Sequence, residues 1–482
     1  MVNKVIILGN HPLANSLLKQ YGMRGSTAEH LLGLVTDSVK FNDYDEICLL
    51  ADKGEDDKAI AMLSKIAEKY DLNSHQGNRL TCHLLVQGNK TLQFLQTCDL
   101  CDAVRQKIDV YPFTMDEVWS RSIVLDYQPL TVQSDKHVHL VIFGMGEIAE
   151  MVAIQAAHVS HYPNYVRNHS LRTRITMIDV DAEEKRMEFV KRYQHLFNNC
   201  YYRVVNPSKE KAIIEFHEPM YAGKREDFVD VEWEFVEANY WDAELRDKLK
   251  FWANDSKQLL TLVMADEDGD KNKKNSLLLP QELYNQSIPI YNYNEQFHGY
   301  DVTLPLIKMA KNVNYVYDRC FNDNIVDWKG SLRYCVEIDS IEREKSWAKL
   351  SNVKRMSSIY NALTIPTKMR SIGLQEDDWD KFYDISQQDI ELLAQVEHNR
   401  WCVEELILGF RPCTDDEYEI ISSDVATQKD AYKSRKVHYD LRAYNNLKPD
   451  KTGRSVQIYD LCLSSCLPLI AKAFVEEKGG IR

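Results

Sequence analysis

The sequence lacks an excess of positive charge. Its 59 lysine and arginine residues are outnumbered by 73 aspartate and glutamate residues, which gives a formal net charge of −14 at pH 7. A protein that binds nucleic acid in general needs a basic surface to displace counterions from the phosphate backbone. The charge balance argues against that class, and we expect no direct nucleic-acid binding.

The chain also lacks a long apolar run and a secretory start. No apolar segment approaches the roughly 18 residues that a membrane-spanning helix needs. The start, "MVNKVIILGNH", leads directly into a predicted strand and does not resemble a signal peptide. The eleven cysteines are scattered, and the single close pair, Cys98 and Cys101, is a weak zinc signal. We expect a cytoplasmic protein with reduced thiols, no metal site and no membrane insertion.

What the chain does have is length and an ordinary apolar content. Its 482 residues, 44% of them hydrophobic, are too many for one core and indicate two to four domains. Short apolar runs at 4–9, 46–52, 81–88 and 107–113 alternate with helical patterns, as in βαβ units with a parallel sheet. A helix is predicted to follow Pro112.

The same alternation restarts near residue 137. Strand-like runs follow at 137–143, 174–181, 231–239, 258–268 and 288–294, and the stretch 189–220 reads as an insertion or an extra helix. From about residue 340 the strand-like runs stop. The predicted fold class is therefore α/β, with two tandem Rossmann-like, doubly wound parallel sheets followed by a mainly α domain. The predicted domains cover residues 1–130, 136–335 and 340–482.

A glycine turn in the second unit predicts a nucleotide site. "VIFGMGEIAEM" places Gly144, Gly146 and Ala149 between a strand and a helix. In a G-x-G-x-x-A turn the first glycine allows the tight turn, the second lets backbone approach a diphosphate, and the helix N-terminus favours the phosphate charge. Asp179, at the end of "ITMIDVD", is the candidate partner for ribose hydroxyls. The alternative is a Rossmann-like unit that keeps this turn only for folding.

The first unit offers a poorer turn. "ILGNHPLANSL" retains Gly9 but has Asn10 and His11 where a second glycine would let phosphate approach. We therefore expect an empty structural copy in the first unit, with His11 as an exposed loop residue.

The second unit, through "HLVIFGMGEIAEMVA", "ITMIDVD" and "LLTLVMADEDGDKN", resembles the NAD-binding domain of potassium-transport regulators of the TrkA-N type. The resemblance implies a bound NAD(H) or related nucleotide, with an acidic strand end on the ribose and an Ala-x-x-Asp strand end closing the pocket. Ala149 in place of a third glycine and the long insert before Asp179 depart from the family and put the identity of the nucleotide in doubt. The predicted nucleotide-binding residues are Gly144, Met145, Gly146, Glu147, Ile148, Asp179, Val180, Ala265 and Asp266.

The helix over "LLAQVEHNRWCVEELILGF" concentrates polar side chains in consecutive positions. Ser386 with Asp389 predicts its N-terminal capping box, and Gly409 predicts its end. Positions spaced by about 100° put His398 opposite the apolar arc, where we expect it to be exposed or at a domain contact. Arg400 falls inside the arc. It is predicted either to pair locally with glutamates three and four residues away or to meet a ligand's phosphate or carboxylate.

The C-terminal region resembles a bacterial ryanodine-receptor (RyR) domain. The residues that carry the resemblance lie in "EHNRWCVEELILGF", "KVHYDLRAYNNL" and "IYDLCLS". Trp401 is predicted to pack against another helix or to stack on a base, and His438 and Tyr444 are predicted to join a pocket or to serve the fold. The candidate ligand-binding residues of this domain are Asn399, Arg400, Trp401, His438 and Tyr444.

Together these patterns favour a regulatory protein rather than an enzyme. We expect a sensor that binds an NAD-like nucleotide or a nucleotide second messenger and couples it to a ligand-binding RyR-like domain. The resemblance implies a role in bacterial stress or anti-phage signalling and a homodimer. The alternatives are an NAD(P)-dependent oxidoreductase, for which no catalytic acid or base is placed, and a soluble gating subunit of a separate channel, transporter or effector protein.

Overall fold

The computed structural model describes residues 3–34, 37–75, 79–125, 134–219, 227–294, 305–322, 338–374, 385–449, 453 and 455–472. Strands alternate with helices up to residue 294, and helices dominate afterwards. The predicted α/β class with parallel sheets is confirmed. The assignment of the helical region to the RyR family stays a prediction.

The first sheet has five parallel strands. They are β1 (Lys4–Leu8), β2 (Thr27–Leu31), β3 (Glu46–Leu50), β4 (Leu80–Leu85) and β5 (Ile108–Phe113). Their order in the sheet is β2-β1-β3-β4-β5. The helices of this unit are α1 (Leu13–Met23), α2 (Asp56–Lys69), α3 (Asn89–Thr97), α4 (Asp102–Arg105) and α5 (Met115–Leu125). The inner strands are apolar and buried on both faces, as helices on both sides of a parallel sheet require.

The second sheet has seven strands. They are β6 (His137–Phe143), β7 (Thr173–Asp179), β8 (Tyr202–Val205), β9 (Ile213–His217), β10 (Val231–Glu237), β11 (Gln258–Met264) and β12 (Ile290–Asn292). The order is β12-β11-β6-β7-β10-β8-β9, and β9 alone among the paired strands of this sheet runs antiparallel to its neighbour. The strand order reverses between β6 and β11, and ligands of open α/β sheets bind outside the carboxyl ends of strands at such a point.

The second unit has a helix after its glycine turn, as predicted. It also has two strands, β8 and β9, that were not predicted. The helices are α6 (Glu147–Val159), α7 (Pro163–Arg167), α8 (Ala182–Arg192), α9 (Gln194–Asn199), α10 (Ala243–Asn254), α11 (Gly269–Leu277) and α12 (Gln281–Asn285). The predicted insertion at 189–220 forms α9 and then β8 and β9, so it extends the sheet as well as adding a helix.

The remaining region is helical apart from one short strand pair. Its helices are α13 (Pro305–Asn322), α14 (Ser340–Ala348), α15 (Asn352–Ser371), α16 (Gln387–Ile407), α17 (Asp415–Ser423), α18 (Val425–Lys433) and α19 (Gln457–Ser465), and its strands are β13 (Arg411–Pro412) and β14 (Val437–His438). Helix α13 lies in the segment assigned to the second unit, yet it packs against α14, α15 and α19. We use "the helical region" for α13 to α19.

Helix α16 begins and ends as predicted. The Ser386 hydroxyl accepts a hydrogen bond from the Asp389 N–H, and Gly409 has a φ of +84°. The helix contacts α6, α7, α9, α15 and α19, so it is buried on nearly every side. The prediction that His398 is exposed or at a domain contact was therefore wrong. Its side chain is buried, and its polar contacts with Cys402, Arg442 and Asp460 lie within the helical region.

The three regions share contacts. The Trp347 indole N–H donates to the Tyr111 hydroxyl at 3.2 Å, which joins α14 to the first sheet. Between the two sheets, the Tyr293 hydroxyl donates to Asp116 at 2.7 Å, and helix α5 packs along α6. Helix α6 thus lies between the first unit and the helical region.

Candidate functional site

The glycine turn of the second unit has the geometry that the sequence predicts. Gly144 follows β6 with a φ of +114°, which side chains rarely tolerate. Gly146 is the residue before α6, with φ −81°. A Cβ added to Gly146 would meet nothing nearer than a Glu267 carboxylate oxygen at 4.0 Å. Backbone can therefore approach a ligand closely at Gly146.

Asp179 lies beside this turn and is engaged within the protein. Its carboxylate accepts the Met145 N–H at 3.1 Å and the Asp181 N–H at 3.0 Å. The Lys185 ammonium lies 2.8 Å from both carboxylate oxygens. A ribose bound here would share Asp179 with Lys185, while Val180, the next residue, is exposed.

The end of β11 completes this edge of the sheet. The Ala265 N–H donates to the Phe143 carbonyl at 3.0 Å, and the Asp266 N–H donates to the Asn272 side chain at 3.0 Å. The Asp266 carboxylate also pairs with Lys271. Partial burial opposes ionisation of Asp266, but Lys271 and the Asp268 N–H outweigh it and lower the pKa. The predicted nucleotide-binding residues therefore meet at the ends of three adjacent strands.

A cavity of about 830 Å³ opens beside the turn. One face of α6 lines it from Gly146 to His158, a length of about 18 Å at the usual rise per residue. The opposite walls come from α3 of the first unit, from α8, and from α15 and α16 of the helical region. We call it the junction cavity, because all three regions line it. Of the predicted nucleotide-binding residues it includes Met145, Gly146 and Glu147.

Two buried carboxylates with an unpaired oxygen line the junction cavity. Glu117 on α5 uses one oxygen to accept hydrogen bonds from Gln96 at 2.8 Å and Arg121 at 2.7 Å. Glu404 on α16 uses one oxygen to accept from Arg400 at 2.6 Å and Ser357 at 3.0 Å. The second oxygen of each carboxylate is buried without a hydrogen-bond partner.

Two stacked rings lie beside these carboxylates. The His158 and Tyr360 rings are parallel, with centroids 3.9 Å apart, and both line the cavity. Burial and the charges of Glu117 and Glu404 raise the pKa of Tyr360. Burial and the Arg400 charge lower the pKa of His158 well below its ordinary value, so this imidazole is neutral, and its Nδ1 has no partner.

Sequence inspection missed Glu117, His158 and Tyr360, because they lie in three separate segments that meet only in the folded chain. The signal that points to one of them is a histidine in "AIQAAHV", an otherwise apolar stretch of α6. A buried polar side chain of that kind needs a partner.

Arg400 is paired as the local interpretation predicted. It is 2% exposed and bonds Glu397 at 2.8 Å and Glu404 at 2.6 Å. The Lys368 ammonium also meets Glu397, at 2.5 Å. Burial opposes the charge on Glu397, but Arg400 and Lys368 prevail and lower its pKa to about 2. Arg400 reaches the junction cavity only through Glu404, so the structure gives it a positioning role.

A cysteine, a histidine and an aspartate form a chain of contacts away from the junction cavity. Cys402 and His398 lie on α16, and Asp460 lies on α19. The Cys402 thiol is 3.4 Å from His398 Nε2, and His398 Nδ1 is 3.6 Å from Asp460. Burial raises the pKa of Cys402, however, and none of the three residues lines the junction cavity. The trio has the contacts of a structural hydrogen-bond chain.

Three of the other candidate residues of the helical region lie in an aromatic cluster, namely Trp401, His438 and Tyr444. Trp401 and His438 meet edge to face with centroids 4.8 Å apart, and Tyr444 meets His398 at 5.7 Å. Burial lowers the pKa of His438 to about 3, so this histidine is neutral. Asn399 is buried on the same helix. None of these four candidates lines the junction cavity.

Within the described part of the chain, no group of three or more His, Cys, Asp or Glu side chains is placed to hold a metal ion. Among the helices of that part, none is long and apolar enough to cross a membrane.

Comparison with known proteins adds little. No family model matches the chain, and no curated protein matches it. A solved structure of NtrX from Brucella abortus in complex with ADP aligns at 9% identity over 90% of this chain and 99% of its own, with a TM-score of 0.14. A score this low does not indicate a shared fold, so the site must be interpreted from its own geometry.

Proposed function

We propose that this protein is a regulatory sensor in which a nucleotide binds at the glycine turn and extends into the junction cavity. The observation that carries the proposal is the composition of the cavity wall, to which both sheet units and the helical region contribute. A ligand held by all three regions binds one mutual arrangement of them better than another, and so shifts the population towards it.

The turn supplies the phosphate end of this site. Gly146 leaves its backbone accessible at the N-terminus of α6, where helix N–H groups and the helix dipole favour anions. Lys90, Arg192 and Lys436 line the same cavity and offset phosphate charge. Glu147, the residue after Gly146, opposes an anion at the turn, and Glu150 pairs with Arg192. The phosphate charge is therefore offset mainly by Lys90 and Lys436.

In this proposal NAD(H) or a related nucleotide binds at the turn, and Asp179 and Asp266 at the neighbouring strand ends hold a ribose. The regulatory interpretation also fits the helical region, whose candidate residues are used in buried pairs rather than in a second open site. In this proposal the RyR-like helices read the state of the junction cavity through Glu404 and Arg400.

The test is a thermal-shift series with NAD⁺, NADH, ATP and cyclic di-AMP on the full chain. We expect at least one of them to raise the Tm of the wild-type protein, since a ligand that binds only the folded state stabilises it. Gly146→Trp fills the mouth of the cavity and should abolish the shift. Gly22→Trp is the matched control, because Gly22 is exposed on α1 with nothing within 4 Å of an added Cβ. A shift that survives in Gly146→Trp, or no shift with any of the four compounds, would contradict the proposal.

A further inference from the structure

The far end of the junction cavity, near His158, includes two carboxylate acceptor oxygens without a hydrogen-bond partner. Glu117 and Glu404 come from different helices, and each buries an oxygen without a partner in the cavity wall. A buried carboxylate oxygen that makes no hydrogen bond is costly. Two of them on residues that line one cavity favour a ligand group that supplies hydrogen atoms.

The charge around these carboxylates selects the kind of donor. Glu117 already pairs with Arg121 at 2.7 Å, and Glu404 already pairs with Arg400 at 2.6 Å. Each negative charge is therefore balanced by a guanidinium on its other oxygen. What each free oxygen lacks is a hydrogen bond, which a neutral N–H group provides without adding a third charge to a buried pair.

The rings at this end favour a flat donor. The parallel His158 and Tyr360 rings form part of the wall, and aromatic surfaces accept planar heterocycles by stacking. His158 Nδ1 adds a third buried polar atom without a partner. The far end thus combines a ring surface with three polar atoms that a heterocycle with N–H groups can satisfy.

We infer that the far end of the junction cavity binds an amino-bearing purine base, whose N–H groups bond Glu117 and Glu404. This inference rests on the proposed function, because the purine would belong to the nucleotide whose phosphates lie at the glycine turn. The path along α6 from Gly146 to His158, about 18 Å, separates the phosphate end from the base end. Specificity for the base then comes from the first unit and the helical region together.

The test uses nucleosides, which lack the phosphates that the turn would hold. Adenosine is compared with purine riboside, and guanosine with inosine, since each pair differs only in the exocyclic amino group. Binding to the full chain is measured by saturation-transfer NMR and competition. We expect the amino-bearing member of at least one pair to bind about tenfold more tightly, as one hydrogen bond to a charged group provides.

Two variants and a matched control locate the preference. Glu404→Gln and Glu117→Gln keep the size of the side chain and should each remove most of the preference. Glu405→Gln is the control, because Glu405 is the next residue on α16, is also buried with an unpaired oxygen, and does not line the cavity. Circular dichroism checks that each variant is folded, and the two test sites lie on different helices, so failure of one variant to fold leaves the other.

The outcomes separate this inference from the proposed function. No preference in either pair, no nucleoside binding, or a preference unchanged in both variants would overturn the purine site. If nucleotides still stabilise the wild type and not Gly146→Trp in that case, the proposed function stands alone. Conversely, an amino-dependent nucleoside preference together with an unimpaired nucleotide response of Gly146→Trp would support the purine site and overturn the placement of phosphates at the turn.

Discussion

The two sheet units place the same kind of turn after their first strand but use it differently. In the first unit Gly9 has a φ of +133°, and an added Cβ would lie 2.2 Å from the Leu50 carbonyl oxygen. His30 bonds the Gly9 carbonyl at 2.8 Å, and the Asn10 side chain accepts the Gly33 N–H at 3.0 Å. This turn is packed against its own neighbours. In the second unit Gly146 faces the junction cavity.

The difference lies in the side chains after the first glycine. In the first unit the Asn10 side chain accepts a hydrogen bond from the Gly33 N–H in a neighbouring loop. At the corresponding point of the second unit, Met145 and Gly146 leave the backbone of the turn open to the cavity. A glycine turn alone therefore indicates the fold, and an open second glycine indicates a place that a ligand can approach.

The largest effect on stability is expected at the packed turn. Gly9→Ala places a Cβ against the Leu50 carbonyl in a backbone conformation that alanine rarely adopts. Strain and overpacking each cost about 1–3 kcal/mol, so we expect a loss of roughly 3 kcal/mol in the free energy of unfolding. Urea denaturation followed by circular dichroism measures it. A variant as stable as the wild type would show that the first turn is not packed as described.

A smaller loss is expected for Gly144→Ala. Its φ of +114° is strained for alanine, but the nearest atom to an added Cβ is the Ala265 carbonyl oxygen at 3.4 Å. Strain alone costs about 1–3 kcal/mol. The Tm of this variant should lie between those of Gly9→Ala and the wild type. If it unfolds more readily than Gly9→Ala, the ranking of the two turns is reversed.

The open glycine should tolerate alanine best. Gly146→Ala has an ordinary φ and no close contact, so it should lose about 1 kcal/mol or less, chiefly through the poorer helix cap. Gly22→Ala on the exposed face of α1 is the control and should gain up to about 1 kcal/mol from helix propensity. Thermal melts of the two variants side by side make the comparison. A loss at Gly146 as large as that at Gly9 would remove the distinction between the turns.

The last prediction concerns pH rather than backbone strain, and it is made at Glu405, the neighbour of Glu404 on α16. Burial and Glu404 raise the pKa of Glu405 to about 7, against about 4.3 for an unperturbed glutamate. The folded state then holds a proton that the unfolded state releases. The stabilising contribution of this proton is complete below the unfolded pKa and is lost as the pH rises through 7.

Glu405→Gln removes this titration. Its Tm relative to the wild type should therefore increase between pH 5 and pH 8, as measured by scanning calorimetry in matched buffers. A Tm difference that is constant over that range would show that Glu405 does not titrate there.

The sequence predicts the strands of both sheets because most of them are short apolar runs between helical patterns. It misses β2, whose residues alternate between half-buried and exposed at the sheet edge, and it does not show that 202–217 joins the second sheet. The pairing of Arg400 followed from spacing alone, since its glutamates are one turn away on the same helix. The burial of His398 did not, because it depends on which helices cover α16.

The junction cavity could not be predicted from the sequence for the same reason. Its polar wall combines Glu117, His158, Tyr360 and Glu404 from four helices, and no local spacing connects them. Only the glycine turn at its mouth has a sequence signature, because the backbone requirement there is local.

The most direct test of a shared ligand site is hydrogen–deuterium exchange of the full chain with and without whichever of NAD⁺, NADH, ATP and cyclic di-AMP gives the largest thermal shift. We predict slower exchange in α3, in the first turns of α6 and in the last turns of α16 together, with no change around Gly9. Protection confined to the glycine turn of the second unit, or appearing at the turn of the first unit, would contradict the claim that one ligand is held by all three regions.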